Sequence, residues 1–168
     1  GEVVERPANI IKELVENSID AGATMITIAV HEGGKTGITI TDNGSGMERD
    51  DALICFERHT TSKITAFNDL HALTTFGFRG EALASICSVS KTTITTKTAS
   101  APHALQLHIH AGTLVKEQPV AHAPGTSISI TDLFYNVPAR KKFLKTAATE
   151  WNQTSTLFKA LCVAYPAI

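Results

Sequence analysis

Glu13-Leu14-Val15-Glu16-Asn17-Ser18-Ile19-Asp20-Ala21-Gly22 is the stretch on which the reading of this chain turns. It continues a segment that begins at Pro7, a residue suited to a first helical turn, and no further breaker occurs before Gly22. At the helical rotation of about 100° per residue, with Glu13 at zero, Asn17 falls at about 40°, Asp20 at about 340° and Glu16 at about 300°. Four polar groups therefore share one stripe. Ile11, Leu14, Val15 and Ile19 occupy the opposite arc, from about 100° to 240°, which marks the face toward the core. An ordinary amphipathic helix with a solvated acidic side gives the same pattern. The three acids, with no basic residue between them, repel one another, however, and a hard cation such as Mg²⁺ would offset that repulsion.

Outward from this helix, residues 25–30 and 38–41 read as two strands joined through Gly33-Gly34, a hairpin whose second strand ends at Asp42. Residues 50–58 read as a helix, and residues 60–68 as a polar loop with a short helix beyond it. Gly77-Phe78-Arg79-Gly80 leads into a helix over residues 81–88. Four strands follow, at 92–98, 104–110, 114–119 and 126–133, and a final helix spans 149–163. This order predicts an α+β fold, a two-layer α/β sandwich in which helices cover one face of a mixed, mostly antiparallel sheet. With 168 residues and 43% hydrophobic composition, a single domain over residues 1–168 is expected.

Composition narrows the function. The formal net charge of −1 provides no basic excess for a self-sufficient nucleic-acid surface. Cys55, Cys87 and Cys162 are odd in number and widely spaced, which argues against a disulfide framework or a zinc site and fits a reducing, cytoplasmic setting. No apolar run approaches the roughly 18 residues of a membrane span. The chain opens on Gly1 without an initiator methionine and stops at Ile168, so a piece of a longer protein is expected.

Two further segments carry chemistry. Asp42-Asn43-Gly44-Ser45-Gly46-Met47 places an acid at a strand end before a glycine-spaced turn. A simple turn would need the same glycines. The functional reading is that Gly44 and Gly46 let the backbone approach a flat ligand while Asp42 accepts a hydrogen bond from an exocyclic amine such as that of adenine. Gly77-Phe78-Arg79-Gly80-Glu81-Ala82-Leu83 joins a glycine-rich loop to a helix start, an arrangement able to bind an anion. Thr61-Ser62-Lys63 adds two hydroxyls and a cation that could close over phosphates. The P-loop pattern G-x-x-x-x-G-K-[ST] is absent.

The three glycine- and acid-bearing segments together, in this order and spacing, resemble the ATPase superfamily shared by gyrase, Hsp90, histidine kinases and MutL. Gly1-Glu2-Val3-Val4-Glu5-Arg6-Pro7, Arg58-His59-Thr60-Thr61-Ser62-Lys63-Ile64 and the run from Asp132-Leu133-Phe134-Tyr135-Asn136-Val137-Pro138-Ala139-Arg140 to Leu144 are similar to MutL in particular. The resemblance implies the Bergerat-type ATP-binding fold and a slow, Mg²⁺-dependent ATPase of DNA mismatch repair. It implies Glu13 as the general base, Asn17 as the Mg²⁺ ligand, and Asp42, Gly44 and Gly46 around the adenine. Thr61, Ser62 and Lys63, with Gly77, Phe78, Arg79, Gly80, Glu81, Ala82 and Leu83, would form the lid over the phosphates. For the whole protein it implies an ATP-dependent homodimer, a mismatch-recognition partner, a downstream nuclease or helicase, and DNA contact made mainly through the full length. It also implies a cytoplasmic, nucleoid-associated location, or a nuclear one in a eukaryote. In the family an amino-terminal arm precedes Gly1 and a following domain lends a lysine, so this stretch alone would bind nucleotide better than it turns it over. The alternatives are a non-catalytic, nucleotide-dependent interaction module, which has no use for Glu13, and another superfamily ATPase such as a topoisomerase subunit or chaperone, against which the MutL-like segments speak.

Other features read as structural. His108 and His110 share a strand face without an evident third ligand. Cys55 and Cys87 sit among apolar residues and read as buried thiols. Arg140, Lys141, Lys142 and Lys145 form a basic cluster that could touch a DNA backbone but reads first as a solvated helix end, and Phe134 and Tyr135 read as core.

Overall fold

The computed structural model describes residues 4–57 and 81–168. Helix α1 covers Pro7–Asp20. It is followed by strand β1 (Ile26–His31), a 3₁₀ turn (Glu32–Gly34), strand β2 (Gly37–Asp42) and helix α2 (Arg49–Cys55). Helix α3 is Ala82–Ser88. Strands β3 (Lys91–Lys97), β4 (Ala104–His110), β5 (Thr113–Val120) and β6 (Gly125–Thr131) come next, then a single turn of helix, α4 (Pro138–Lys141), and the long α5 (Ala147–Ala164).

The strands form one sheet in the order β1-β2-β6-β3-β4-β5. Every pairing among the described residues is antiparallel, so the mixed character expected of the sheet does not arise there. The predicted hairpin is β1-β2, but β6 inserts between β2 and β3 and thereby links the chain's two halves. The last strand ends two residues earlier than its sequence suggests. Asp132 and Phe134 have φ of 52° and 64°, and a backbone in that region leaves the ladder.

Alternation along the strands separates two faces. Ile38, Ile40, Ile94, Leu107, Ile109, Ile128 and Ile130 lie in the core with Ile10, Ile11, Leu14 and Val15 of α1 and Leu83, Ile86 and Cys87 of α3. On the other face hydroxyls pair across strands, Thr39 with Ser129 at 2.8 Å and Thr41 with Ser127 at 2.9 Å. The residues after β6 also divide. Phe134 is fully buried, whereas Tyr135, expected beside it in the core, is 36% exposed beneath Lys91, whose Nζ lies 5.2 Å from the ring centroid.

Helix α1 lies across the core face of the sheet. Ile10, Ile11 and Leu14 are each essentially inaccessible, and each such burial stabilises by roughly 1.5–3 kcal/mol. Like charges at helical spacing cost only about 0.2–0.5 kcal/mol per pair, so the buried face decides that the acidic stripe is tolerated. That stripe also has a basic neighbour which the angular reading passed over, since Lys12 Nζ lies 3.5 Å from Glu16 Oε1.

Candidate functional site

The open cleft between α1 and the β2-β6 end of the sheet is lined by Leu14, Asn17, Ser18, Ala21, Ile40, Asp42, Gly46, Met47, Thr126 and Ile128. Apolar side chains form its walls, and a few polar atoms converge at its floor. Flat heterocycles are held in clefts of this composition.

Asp42 forms the floor. As the last residue of β2 it keeps the core-facing phase of Ile38 and Ile40, so its carboxylate enters the protein and is only 9% exposed. Three donors hold it. The Ser18 hydroxyl donates to Oδ2 at 2.6 Å, while the backbone N–H groups of Gly44 and Thr126 donate to Oδ1 at 2.9 and 3.2 Å. A buried carboxylate needs such partners, and once oriented it can accept from a ligand amine. The approach of Thr126 depends on Gly125. With φ of +129°, a Cβ there would sit 2.1 Å from the Asp42 carbonyl oxygen. A second layer continues the network, because Thr96 Oγ1 accepts from Met47 N–H at 2.9 Å and lies 2.9 Å from Thr126 Oγ1.

The glycines of the turn are also fixed by packing. Gly44 does not line the cleft, and a Cβ on it would lie 2.8 Å from the Ala21 carbonyl oxygen. Gly46 does line it, yet at φ of +69° its Cβ would meet the Lys97 carbonyl oxygen at 2.1 Å. Both glycines are required by the protein's own packing against this turn. Asn43 fixes the turn from outside, its Oδ1 accepting from Thr24 and Met25 N–H at 2.9 and 3.0 Å.

Asn17 faces the cleft one helical turn before Ala21, and Glu13, half-buried, precedes it by one more turn. Glu81 stands at the N-cap of α3, whereas the side chains of Ala82 and Leu83 are buried in the core, so only their backbone could meet a ligand. Thr61, Ser62, Lys63, Gly77, Phe78, Arg79 and Gly80 lie outside the described residues, as do Gly1–Val3.

Ser18, Ala21, Met47 and Thr126 were not anticipated as site residues. Ser18 alone left a sequence signal, for on the same wheel it falls at about 140°, a polar residue inside the apolar arc. Thr126 reaches Asp42 through the β2-β6 register, in which Asp42 pairs with Thr126 across a long separation in the chain.

Elsewhere, His108 is engaged by Thr93 and Gln106 at 3.3 and 3.1 Å, and no group of three or more metal-ligating side chains gathers among the described residues. Burial pushes the Cys87 thiol up to about 12 and raises Cys55 well above the ordinary thiol range, so both are packing residues. No helix among the described residues is long and apolar enough to cross a membrane.

Residues 5–138 match the family described as histidine kinase-, DNA gyrase B-, and HSP90-like ATPases. The chain belongs to that ATPase family. Over its whole length it is 55% identical to the DNA mismatch repair protein MutL of Pelodictyon phaeoclathratiforme and 51% identical to MutL of Pseudothermotoga lettingae, covering 27% and 31% of those proteins. It thus spans about a third or less of the curated relatives named here. Among solved structures, the Aquifex aeolicus MutL ATPase domain complexed with ADP aligns over 99% of this chain and 58% of its own, with a TM-score of 0.79 at 31% identity. The expected α+β ATPase fold is the one present, with its sheet antiparallel rather than mixed among the described residues.

Proposed function

We propose that this ATPase domain binds Mg-ATP in the α1-sheet cleft and hydrolyses it slowly, as a conformational switch in DNA mismatch repair. The observation that carries the reading is the buried Asp42 carboxylate, held by Ser18, Gly44 and Thr126 beneath a helix that presents Asn17 and Glu13. Asp42 would accept from the adenine 6-amino group, and Leu14, Ile40, Met47 and Ile128 would enclose the ring. The described site suits a purine. Its floor supplies an acceptor, and its walls supply little else that is polar.

Asn17 would hold Mg²⁺, which when bound would offset the negative charge of the phosphates. Glu13 would orient and deprotonate the attacking water, a role that needs a carboxylate near the phosphate end of the cleft rather than near its floor. Thr61, Ser62 and Lys63, with Gly77 to Leu83, would close over the phosphates, and γ-phosphate contacts would favour the closed state.

Similarity to the MutL proteins supports a place in mismatch repair. In the whole protein, nucleotide state would govern homodimerisation and signalling to a mismatch-recognition protein and a nuclease or helicase, with DNA contacted mainly through the full length. The single domain over residues 1–168 would then be the nucleotide-binding unit of a longer, cytoplasmic protein.

The test is single-turnover ATP hydrolysis by the whole natural chain. Replacing Glu13→Ala should lower the rate by about 10²–10⁴-fold, the range of general-base catalysis, while nucleotide affinity is kept. Unchanged hydrolysis in that variant would remove Glu13 from the chemistry.

A further inference from the structure

Val4 and Arg6 converge with the residues after β6 at the start of α1. Arg140 on α4 donates from NH2 to the Val4 carbonyl at 2.5 Å and stacks 5.1 Å from the Phe134 ring. Arg6, the N-cap residue just before α1, donates from NH1 to Gln153 Oε1 and lies 3.8 Å from Glu150 Oε1. Glu150 is only 2% exposed on α5, and apart from this ion pair its Oε1 has no hydrogen-bond partner. Its Oε2 accepts from Lys145 N–H at 3.4 Å. The glycine pair of the 3₁₀ turn closes the junction, since a Cβ on Gly33 would lie 2.4 Å from Ala147 O and one on Gly34 2.5 Å from Pro7 Cβ.

A buried carboxylate with one charged partner is costly as a source of stability, because desolvation offsets most of the attraction. What it provides is position. We propose that the Arg6–Glu150 pair, with Gln153, is a positioning latch that fixes the register of α1 against α5 and so places Glu13 for hydrolysis. This inference rests on the hydrolytic role proposed above for Glu13.

The two ends of α1 are held differently. Ser18 ties the carboxyl-terminal end to Asp42 at the cleft floor, and Arg6 ties the amino-terminal end to Glu150. Glu13 lies seven residues from Arg6, about 10 Å along the helix axis, and five from Ser18. Releasing the latch leaves the Ser18–Asp42 tie in place and loosens the amino-terminal turns of α1, on which the placement of mid-helix Glu13 depends. Nucleotide affinity should therefore survive while turnover falls. A residue that only contributed stability would lower the unfolding temperature and leave both constants intact in the folded fraction.

The whole natural chain is the protein to test, with a non-hydrolysable ATP analogue for affinity and steady-state ATP hydrolysis for kcat, both well below each variant's unfolding midpoint. Glu150→Gln keeps the shape and removes the charge. It should lower kcat about tenfold, as expected of a misplaced catalytic group, and leave Kd within about twofold. Arg6→Lys should retain part of that rate, and Arg6→Gln combined with Glu150→Gln should be no slower than either alone. Unaltered kcat in Glu150→Gln, or parallel loss of kcat and affinity, would overturn the latch. Arg6→Lys and Gln153→Ala give the same comparison should Glu150→Gln not fold. A Glu13→Ala control separates the two readings. If that variant still hydrolyses ATP while Glu150→Gln is slow, the role of Glu13 fails and the latch positions another group; if Glu13→Ala is dead and Glu150→Gln is normal, the latch alone fails.

Discussion

Replacing Ser18→Ala tests the contact that holds Asp42 at the floor of the cleft. Ser18 is 4% exposed and its hydroxyl donates to Asp42 Oδ2 at 2.6 Å. A hydrogen bond to a charged acceptor contributes about 1.5–3 kcal/mol, and its loss leaves the carboxylate with only the two N–H donors on Oδ1. Alanine is the better helix former by about 0.5 kcal/mol, which offsets part of the loss. The net expectation is a destabilisation of about 1–2.5 kcal/mol, or a fall of roughly 2–10 °C in the unfolding midpoint for a chain of this size. Differential scanning calorimetry reads that shift directly. Affinity for an ATP analogue should fall less than about tenfold, since Oδ1 keeps both donors and Asp42 keeps its place at the end of β2. A midpoint within about 1 °C of the parent would refute the reasoning, because a buried carboxylate cannot lose its shortest hydrogen bond at no cost if that bond is formed.

Other perturbations test neighbouring parts of the structure. Gly46→Ala forces a side chain into left-handed backbone and against the Lys97 carbonyl, so a loss of at least about 1–3 kcal/mol in stability is expected, with weakened nucleotide binding measured alongside it. Alkaline titration tests the buried thiols. Their folded-state values are raised, so the unfolded chain gives up its thiol protons first and stability declines as pH rises from about 9 toward 12, by up to about 1.4 kcal/mol per pH unit for each thiol. Denaturant unfolding across that range should show a shallower decline in Cys87→Ala than in the parent; identical slopes would count against the burial of that thiol.

Much of this was legible along the chain because the signals are local. The period of α1, Pro7 at its start and the alternation of β2 fix which residues face the sheet, and the phase of Ile38 and Ile40 carries Asp42 inward. The insertion of β6 beside β2 left no comparable trace, since strand order depends on packing between distant segments. Thr126 was consequently missed, although it sits opposite Asp42 in the register. Gly44 and Gly46 stand out along the chain as turn residues, but the atoms that a Cβ on them would strike, on Ala21 and Lys97, belong to other segments and leave no local signal. Lys12 precedes the acidic run, yet at i,i+4 it reaches Glu16, because a helix pairs residues in both directions. Glu150 looks from sequence like any first-turn helical acid, and only the approach of Arg6 from the other end of the chain distinguishes it.

The central claim is that Asp42 reads the base of a Mg-bound nucleotide, and calorimetric titration with a non-hydrolysable ATP analogue tests it most directly. The parent chain, Asn17→Ala and Asp42→Asn would each be titrated with and without Mg²⁺. Asparagine preserves the shape of Asp42 but can turn an N–H toward the adenine amine, so Asp42→Asn should lose about 100-fold or more in affinity, roughly 2.7 kcal/mol, and Asn17→Ala should lose the Mg²⁺-dependent part. Binding of the analogue by Asp42→Asn as tight as that of the parent would contradict the account.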